Sequence, residues 1–261
     1  MRKTTLLIPV RSDGAQAPTQ TWRPATLSTL VEHVDDAAED VLLVCDAPAA
    51  LGVARAVRAL ARGGCAALLV TGPVTRWAVL VEALSTLPVD HLGLAPAVCA
   101  AVDARTRTRV VLSGVGALAA PNPSLGQHVR SWWPPSRFLV DLDGGVVAPT
   151  RQVPVVGPGD VVVARGAREV VPGAEHALPP VRTEITGARG WRARRWLEVS
   201  TVPPDRDAVV AGAVADPDVA PCPECGRLAD RACLFCGLPG ADRDGARDHV
   251  LSSVGPRGAR S

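Results

Sequence analysis

The stretch VLLVCDAPAALGVARAVRALARGGCAALLVTGP, residues 41–73, constrains the fold more than any other part of the chain. It reads as apolar run, short turn, helix, glycine pair, apolar run. The two apolar runs, 41–45 and 66–70, are short, rich in aliphatic residues and bounded by turn residues, which favours buried strands. Between them, a helix turning 100° per residue gathers Val53, Val57, Leu60 and Ala61 on one side and Arg55, Arg58 and Arg62 on the other. Gly63-Gly64 supplies the C-terminal stop. A βαβ unit of this kind makes the two strands parallel and the crossover right-handed.

Around this unit, strand and helix alternate. A first strand is expected near 4–10, then a helix carrying Leu27, Leu30, Val31 and Val34 at i, i+3, i+4, i+7. After the βαβ unit comes a helix near 74–87, with Trp77, Leu80, Val81 and Leu84 on one face. A short strand at 91–94, a short helix at 96–103 and a strand at 109–113 follow. That alternation predicts α/β architecture: a Rossmann-like parallel sheet with helices on both faces, over residues 1–120. From 121 to 203 the texture is β-rich. FLVDL-DGG-VVAPT reads as a hairpin with a glycine-bearing turn, QVPVV-GPGD-VVVAR repeats the pattern, and RWLEVSTV alternates like a half-buried strand. Residues 204–221, rich in Pro, Asp and Ala, read as a linker; 222–240 form a small cysteine module; 241–261 read as a disordered tail.

Composition excludes little but guides the reading. Hydrophobic residues make up 47% of the 261, enough to bury a sizeable core. No apolar run reaches the roughly 18–20 residues of a membrane span, and the opening MRKTTLLIPVRSDG has too short an apolar region for a signal peptide, so a cytoplasmic protein with no membrane partner is expected. The net charge of +2 gives no electrostatic case for nucleic acid. Lys3 is the only lysine and Asn122 the only asparagine, and tyrosine is absent, a pattern that GC-rich codons produce. Abundant arginine is therefore no signal of anion binding by itself.

The seven cysteines fall into two groups. Cys45, Cys65 and Cys99 sit in or beside apolar segments, as small hydrophobes do. Cys222, Cys225, Cys233 and Cys236 form two CxxC pairs with seven residues between them, each pair followed by glycine. Four thiolates suit tetrahedral Zn²⁺ with no open position, hence a structural ion. The glycine after each pair permits a tight turn that aims backbone N–H groups at sulfur. These sixteen residues resemble the short zinc ribbons of the form CPxCG…CxxCG, with a shorter loop between the knuckles.

Other motifs carry weaker chemistry. FLVDLDGG, with Asp141 and Asp143, resembles the first motif of haloacid dehalogenase-like phosphatases. That resemblance would make Asp141 the nucleophile and Asp143 the acid/base around Mg²⁺; a hairpin turn explains the same letters. Gly114-x-Gly116-x-x-Ala119 follows a strand, but Pro121 and Pro123 cut off the long helix a dinucleotide fingerprint needs, which leaves loop glycines. Cys45-Asp46, Thr71-Gly72 and Ser113 end strands, where open α/β sheets bind ligands. Trp132-Trp133 marks either a partner surface or a plug between layers. Arg192, Arg194 and Arg195 flank Trp191 and Trp196. The five histidines show no metal-ligand spacing. Together these features favour a non-enzymatic zinc-binding adaptor whose α/β domain binds a protein partner or small ligand. A nucleotide- or phosphate-handling hydrolase acting at Asp46, Thr71 and Ser113 is the main alternative, and a nucleic-acid binder using the knuckle and residues 192–195 the third.

Overall fold

The computed structural model describes residues 6–10, 26–37, 39–133, 136–152, 154, 157–168, 170, 178–185, 191–216, 219–230, 232–238 and 251–252. Its first sheet is parallel. Strands β1 (Leu6–Val10), β2 (Val41–Cys45) and β3 (Cys65–Thr71) pair in that order, and β12 (Leu251–Ser252) adds to the far side of β3. Val41 stands opposite Cys65 and Cys45 opposite Leu69, so the two strands joined through α2 (Pro48–Leu60) are parallel neighbours, as a βαβ unit requires. Side chains alternate as a sheet buried on both faces requires. Val41, Leu43, Cys45 and Leu69 pack under α1 (Leu27–Asp36) and α2, while Leu42, Val44, Ala66, Leu68 and Val70 point the other way. The face that α2 buries is shifted from the expected one. Ala50, Ala54 and Val57 are buried, whereas Val53 and Leu60 are exposed, because small alanines let the helix lie close on the strands.

Helix α3 (Val74–Leu84) decides the rest of the architecture. The sequence predicts one apolar face; instead Val74, Thr75, Arg76, Trp77, Ala78, Val79, Leu80, Val81, Ala83 and Leu84 are all buried. A helix apolar nearly all round needs covering on both sides. The parallel sheet covers one, and a second, six-stranded mixed sheet covers the other. This corrects the expectation of one Rossmann-like parallel sheet: the strand expected at 109–113, here β4 (Thr108–Leu112), joins the second sheet and pairs antiparallel with two neighbours.

That sheet runs β6 (Val146–Pro149), β5 (Phe138–Asp141), β4, β9 (Trp196–Thr201), β7 (Val161–Arg165), β8 (Val181–Ile185). All pairings are antiparallel except β7 with β8. Val110, Leu112, Val140, Val162, Ala164 and Trp196 face α3. Val111, Val161, Val163, Leu197 and Val199 face away and gather Val170. The β5–β6 hairpin is as expected, with Gly145 at φ +65° in its turn. Of the second expected hairpin, three residues of the first arm fall outside the described residues, and its second arm is β7, inside the sheet. The alternation in β9 suggests a half-buried strand; as a central strand it is buried along its whole length.

Two further stretches differ from expectation. Residues 91–94 lie in a 3-10 helix, Val89–Leu94, leading into α4 (Ala95–Asp103). The stretch 204–221, which reads as linker, carries α6 (Arg206–Val214). This helix packs on α4 and is tied down by Arg206 Nη1 donating to Glu82 at 2.8 Å. The expected tail, 241–261, lies outside the described residues apart from β12. No helix among the described residues is long and apolar enough to cross a membrane.

Candidate functional site

The cysteine module builds itself from two copies of one turn. In each, the residue after the second cysteine is glycine with positive φ, +71° at Gly226 and +73° at Gly237, a conformation that costs other residues strain. The turn closes when Gly226 N–H donates to Cys222 O and Gly237 N–H to Cys233 O, both at 2.8 Å. Cys222 N–H then donates to Arg227 O at 2.8 Å and Cys233 N–H to Leu238 O at 2.9 Å. The two turns face each other, and all four sulfurs lie within 4.8 Å of one another. Cys225 and Cys233 sulfurs are 3.5 Å apart, Cys225 and Cys236 3.2 Å, and Cys222 and Cys236 3.5 Å. A tetrahedral ion with metal–sulfur bonds of ~2.3 Å needs sulfurs only slightly further apart, so the four could hold a metal ion.

Electrostatics divide the four free thiols. Backbone N–H groups of Cys225 and Glu224 pull the Cys222 thiol below its ordinary value. At Cys225 burial pushes upward, but the Arg227 N–H and the neighbouring Cys236, Arg227 and Cys233 side chains outweigh it and bring the thiol to about 6. Burial raises Cys233 and Cys236, and at Cys236 the three neighbouring cysteines add to the rise. The first knuckle therefore holds the more easily deprotonated thiols and the second the less easily deprotonated ones, and thiolate is the form that ligates metal. The other three cysteines are inert by comparison: burial lifts Cys65 to about 11 and Cys45 to about 12, and Cys99 is also raised.

The module is docked on the α/β body, a contact that the composition of 204–221 does not signal. β10 (Ala220–Pro221) and β11 (Leu228–Ala229) pair antiparallel beneath the first knuckle. Arg227 grips Asp40, just before β2, with Nε at 2.6 Å and Nη2 at 2.7 Å, and its guanidinium lies 4.4 Å from the centre of the Phe235 ring. Arg58 of α2 donates to Phe235 O. Gly93 meets the module so closely that a Cβ there would stand 1.9 Å from Leu228 O. Cys222, Ala229, Cys233 and Phe235 belong to the main core cluster.

A second constellation has no counterpart in the sequence reading. Through the layer between α3 and the mixed sheet runs a buried polar chain. Glu198 of β9, fully buried, accepts from Thr75 N at 2.7 Å and Thr75 Oγ1 at 2.8 Å, placing its carboxylate at the N-terminus of α3. Its other oxygen accepts from Trp191 Nε1 at 2.7 Å. The Thr75 hydroxyl meets Ser200 at 2.6 Å, Ser200 meets Thr108 at 2.8 Å, and Thr108 Oγ1 accepts from Arg76 Nε at 3.0 Å. Arg76, 2% exposed, ends the chain by pairing with Asp143 and lying 3.5 Å from Asp103. The signal visible in the sequence is a Thr-Arg pair in the first turn of a largely apolar helix.

Asp143 and Asp141 each have close partners in the hairpin region. Asp143 pairs with Arg76 and accepts from Thr108 N at 2.7 Å. Asp141 pairs with Arg109 at 2.9 Å and accepts the N–H groups of Asp143 and Gly144, at 3.2 and 2.9 Å. Burial works against the Asp141 carboxylate, but those donors hold it below the usual range. Both aspartates thus have the partners of a braced hairpin turn.

The strand-end candidates separate. Asp46 follows one strand of the parallel sheet and Thr71 ends another, whereas Ser113 follows a strand of the mixed one. Ser113 lines a cleft of about 270 Å³ with Leu118, Ser131, Trp191, Arg192 and Arg194, and none of Asp46, Thr71, Asp141 or Asp143 reaches it. The loop glycines Gly114 and Gly116 form part of its wall.

No protein-family model matches the chain, and no curated protein matches it. Among solved structures it is similar to a DegV family protein from Eubacterium eligens loaded with heptadecanoic acid, at 12% identity and a TM-score of 0.39, over 67% of this chain and 76% of that one. It is also similar to the Streptococcus pneumoniae fatty acid kinase B3 protein loaded with linoleic acid, at 12% identity and a TM-score of 0.43, over 68% and 76%. Likenesses this remote carry no inference about what the chain binds.

Trp132 and Trp133, 75% and 67% exposed, do not plug a joint between layers. They continue the outer side of α5 (Leu125–Arg130), where Leu125 and Val129 are also exposed. The spacing 125, 129, 132, 133 makes one apolar stripe. A capping box at Ser124 and Gln127 fixes the helix start, and Gln127 Nε2 donates to Val147 O at 2.6 Å, anchoring it to β6.

Proposed function

We propose that this protein is a non-enzymatic adaptor in which Cys222, Cys225, Cys233 and Cys236 bind one structural zinc ion and the α/β body engages a partner protein. The observation that carries the metal reading is the convergence of four sulfurs from two N–H-lined turns. Four soft thiolates with no free coordination position favour Zn²⁺ in a structural role over a catalytic one. The docking through Arg227, Phe235 and Gly93 gives the ion a structural purpose, since it braces a module that covers one end of the parallel sheet. Support for the partner comes from the exposed apolar residues Leu125, Val129, Trp132 and Trp133, since tryptophan is enriched in interface cores.

Metal analysis of the purified protein tests the first part. About one zinc per chain is expected, with Cys225→Ser losing it. Because the module is docked on the body, that loss lowers the thermal transition of the whole protein. A protein purified without chelator that carries no zinc, or a Cys225→Ser variant that keeps it, overturns the reading.

A further inference from the structure

The cleft beside Ser113 has the chemistry of a ligand site, and the geometry points to a small organic anion with a flat body as its occupant. Its volume of about 270 Å³ lies just below the ~300–1,000 Å³ of sites that take drug-sized ligands. Two arginines, Arg192 and Arg194, line it, and among the described residues no carboxylate lines it. Among the described residues, neither Arg192 nor Arg194 has a carboxylate within ion-pair distance. Two arginine side chains lining a concave site, unopposed by acid among the described residues, suit the forked geometry of carboxylate or phosphate.

The rest of the lining sorts by what each group has left to offer. Ser113 Oγ already accepts from Arg195 N–H at 3.1 Å, so its hydroxyl hydrogen remains to be donated to an anion. Ser131 has the opposite balance: its hydroxyl donates to His128 O at 2.8 Å, leaving lone pairs for a ligand hydroxyl or amine. Trp191 contributes a flat surface, and its orientation is fixed, because its Nε1–H is spent on the buried Glu198 carboxylate. A pinned indole loses little freedom when a flat group stacks on it. Leu118 completes the apolar part of the wall. Donors and cations together with a fixed aromatic plane select an anion attached to a planar or ring-shaped body.

This site shares no residue with the thiol cluster, so its failure would leave the metal reading untouched. Titration calorimetry of the full chain at low salt tests it with four probes: phenyl phosphate, benzoate, inorganic phosphate and benzyl alcohol. At least one aromatic anion should bind with a Kd at or below about 1 mM, at least about tenfold tighter than benzyl alcohol. The stronger of phenyl phosphate and benzoate identifies the anionic group, and inorganic phosphate, lacking the ring, should bind more weakly than phenyl phosphate. The Arg192→Gln/Arg194→Gln double variant should lose about tenfold or more of that affinity. Both side chains are exposed, so its thermal transition should match the wild type. Ser113→Ala provides a milder second variant. The proposal is overturned if neither aromatic anion binds, if benzyl alcohol binds as well as they do, or if the double variant binds like the wild type.

Discussion

Asp143→Asn separates a structural aspartate from a catalytic one. Arg76 is almost completely buried, and Asp143 is the carboxylate in direct contact with it. Asp103, the other acid nearby, stands at 3.5 Å, and its carboxyl is raised by burial, partly opposed by Arg76 and reinforced by Asp143, so it is a poor substitute. Removing one partner of a buried pair costs roughly 3–5 kcal/mol, because the other charge stays buried. The asparagine can still accept from Thr108 N, which argues for the lower end, about 3 kcal/mol. For a chain of this size that corresponds to a fall in Tm of about 6–12 °C. Asp103→Asn is the control. A carboxyl whose folded pKa is raised is stabilising in its neutral form, and that contribution is complete below the unfolded value and lost as pH rises through the folded one. At neutral pH Asp103→Asn should therefore be neutral or stabilising, and its difference from wild type should vanish below about pH 3.9. Thermal and urea unfolding of both variants are the assays. An Asp143→Asn protein as stable as the wild type, or more so, would refute the buried-pair argument and return weight to a phosphatase role for the DxD motif.

Two other outcomes follow from the docked module and the apolar stripe. Gly93→Ala places a methyl against the Leu228 carbonyl and should cost roughly 1–3 kcal/mol by displacing the module, with zinc retained; an unchanged melting curve would show that the contact is slack. Trp132→Ala/Trp133→Ala should leave the thermal transition unchanged, since both rings are exposed, and should abolish cross-linking to the specific partner captured by the wild type. A partner retained by the double variant would place the interface elsewhere.

Local chemistry makes several parts of this protein legible from its sequence. The βαβ unit shows because its strands are buried on both faces and its helix ends at a glycine pair, both local patterns. The thiol cluster shows because two short turns, each needing its own glycine, place all their ligands within sixteen residues. The hairpin at Asp141–Gly145 does so for the same reason. What the sequence by itself could not determine depends on pairing across long separations. Strand β4 reads identically whether it extends the parallel sheet or joins β5 and β9. Only the need to cover both sides of α3 decides between them. The Glu198–Thr75 and Arg76–Asp143 bonds join residues 123 and 67 apart, and nothing near any of them in the chain announces its partner. The docking of Arg227 on Asp40 spans 187 residues. The cleft assembles Ser113, Ser131 and Trp191 from three separate segments. Backbone periodicity and turn chemistry are properties of neighbours along the chain, whereas buried charges and concave sites exist only once distant segments have packed.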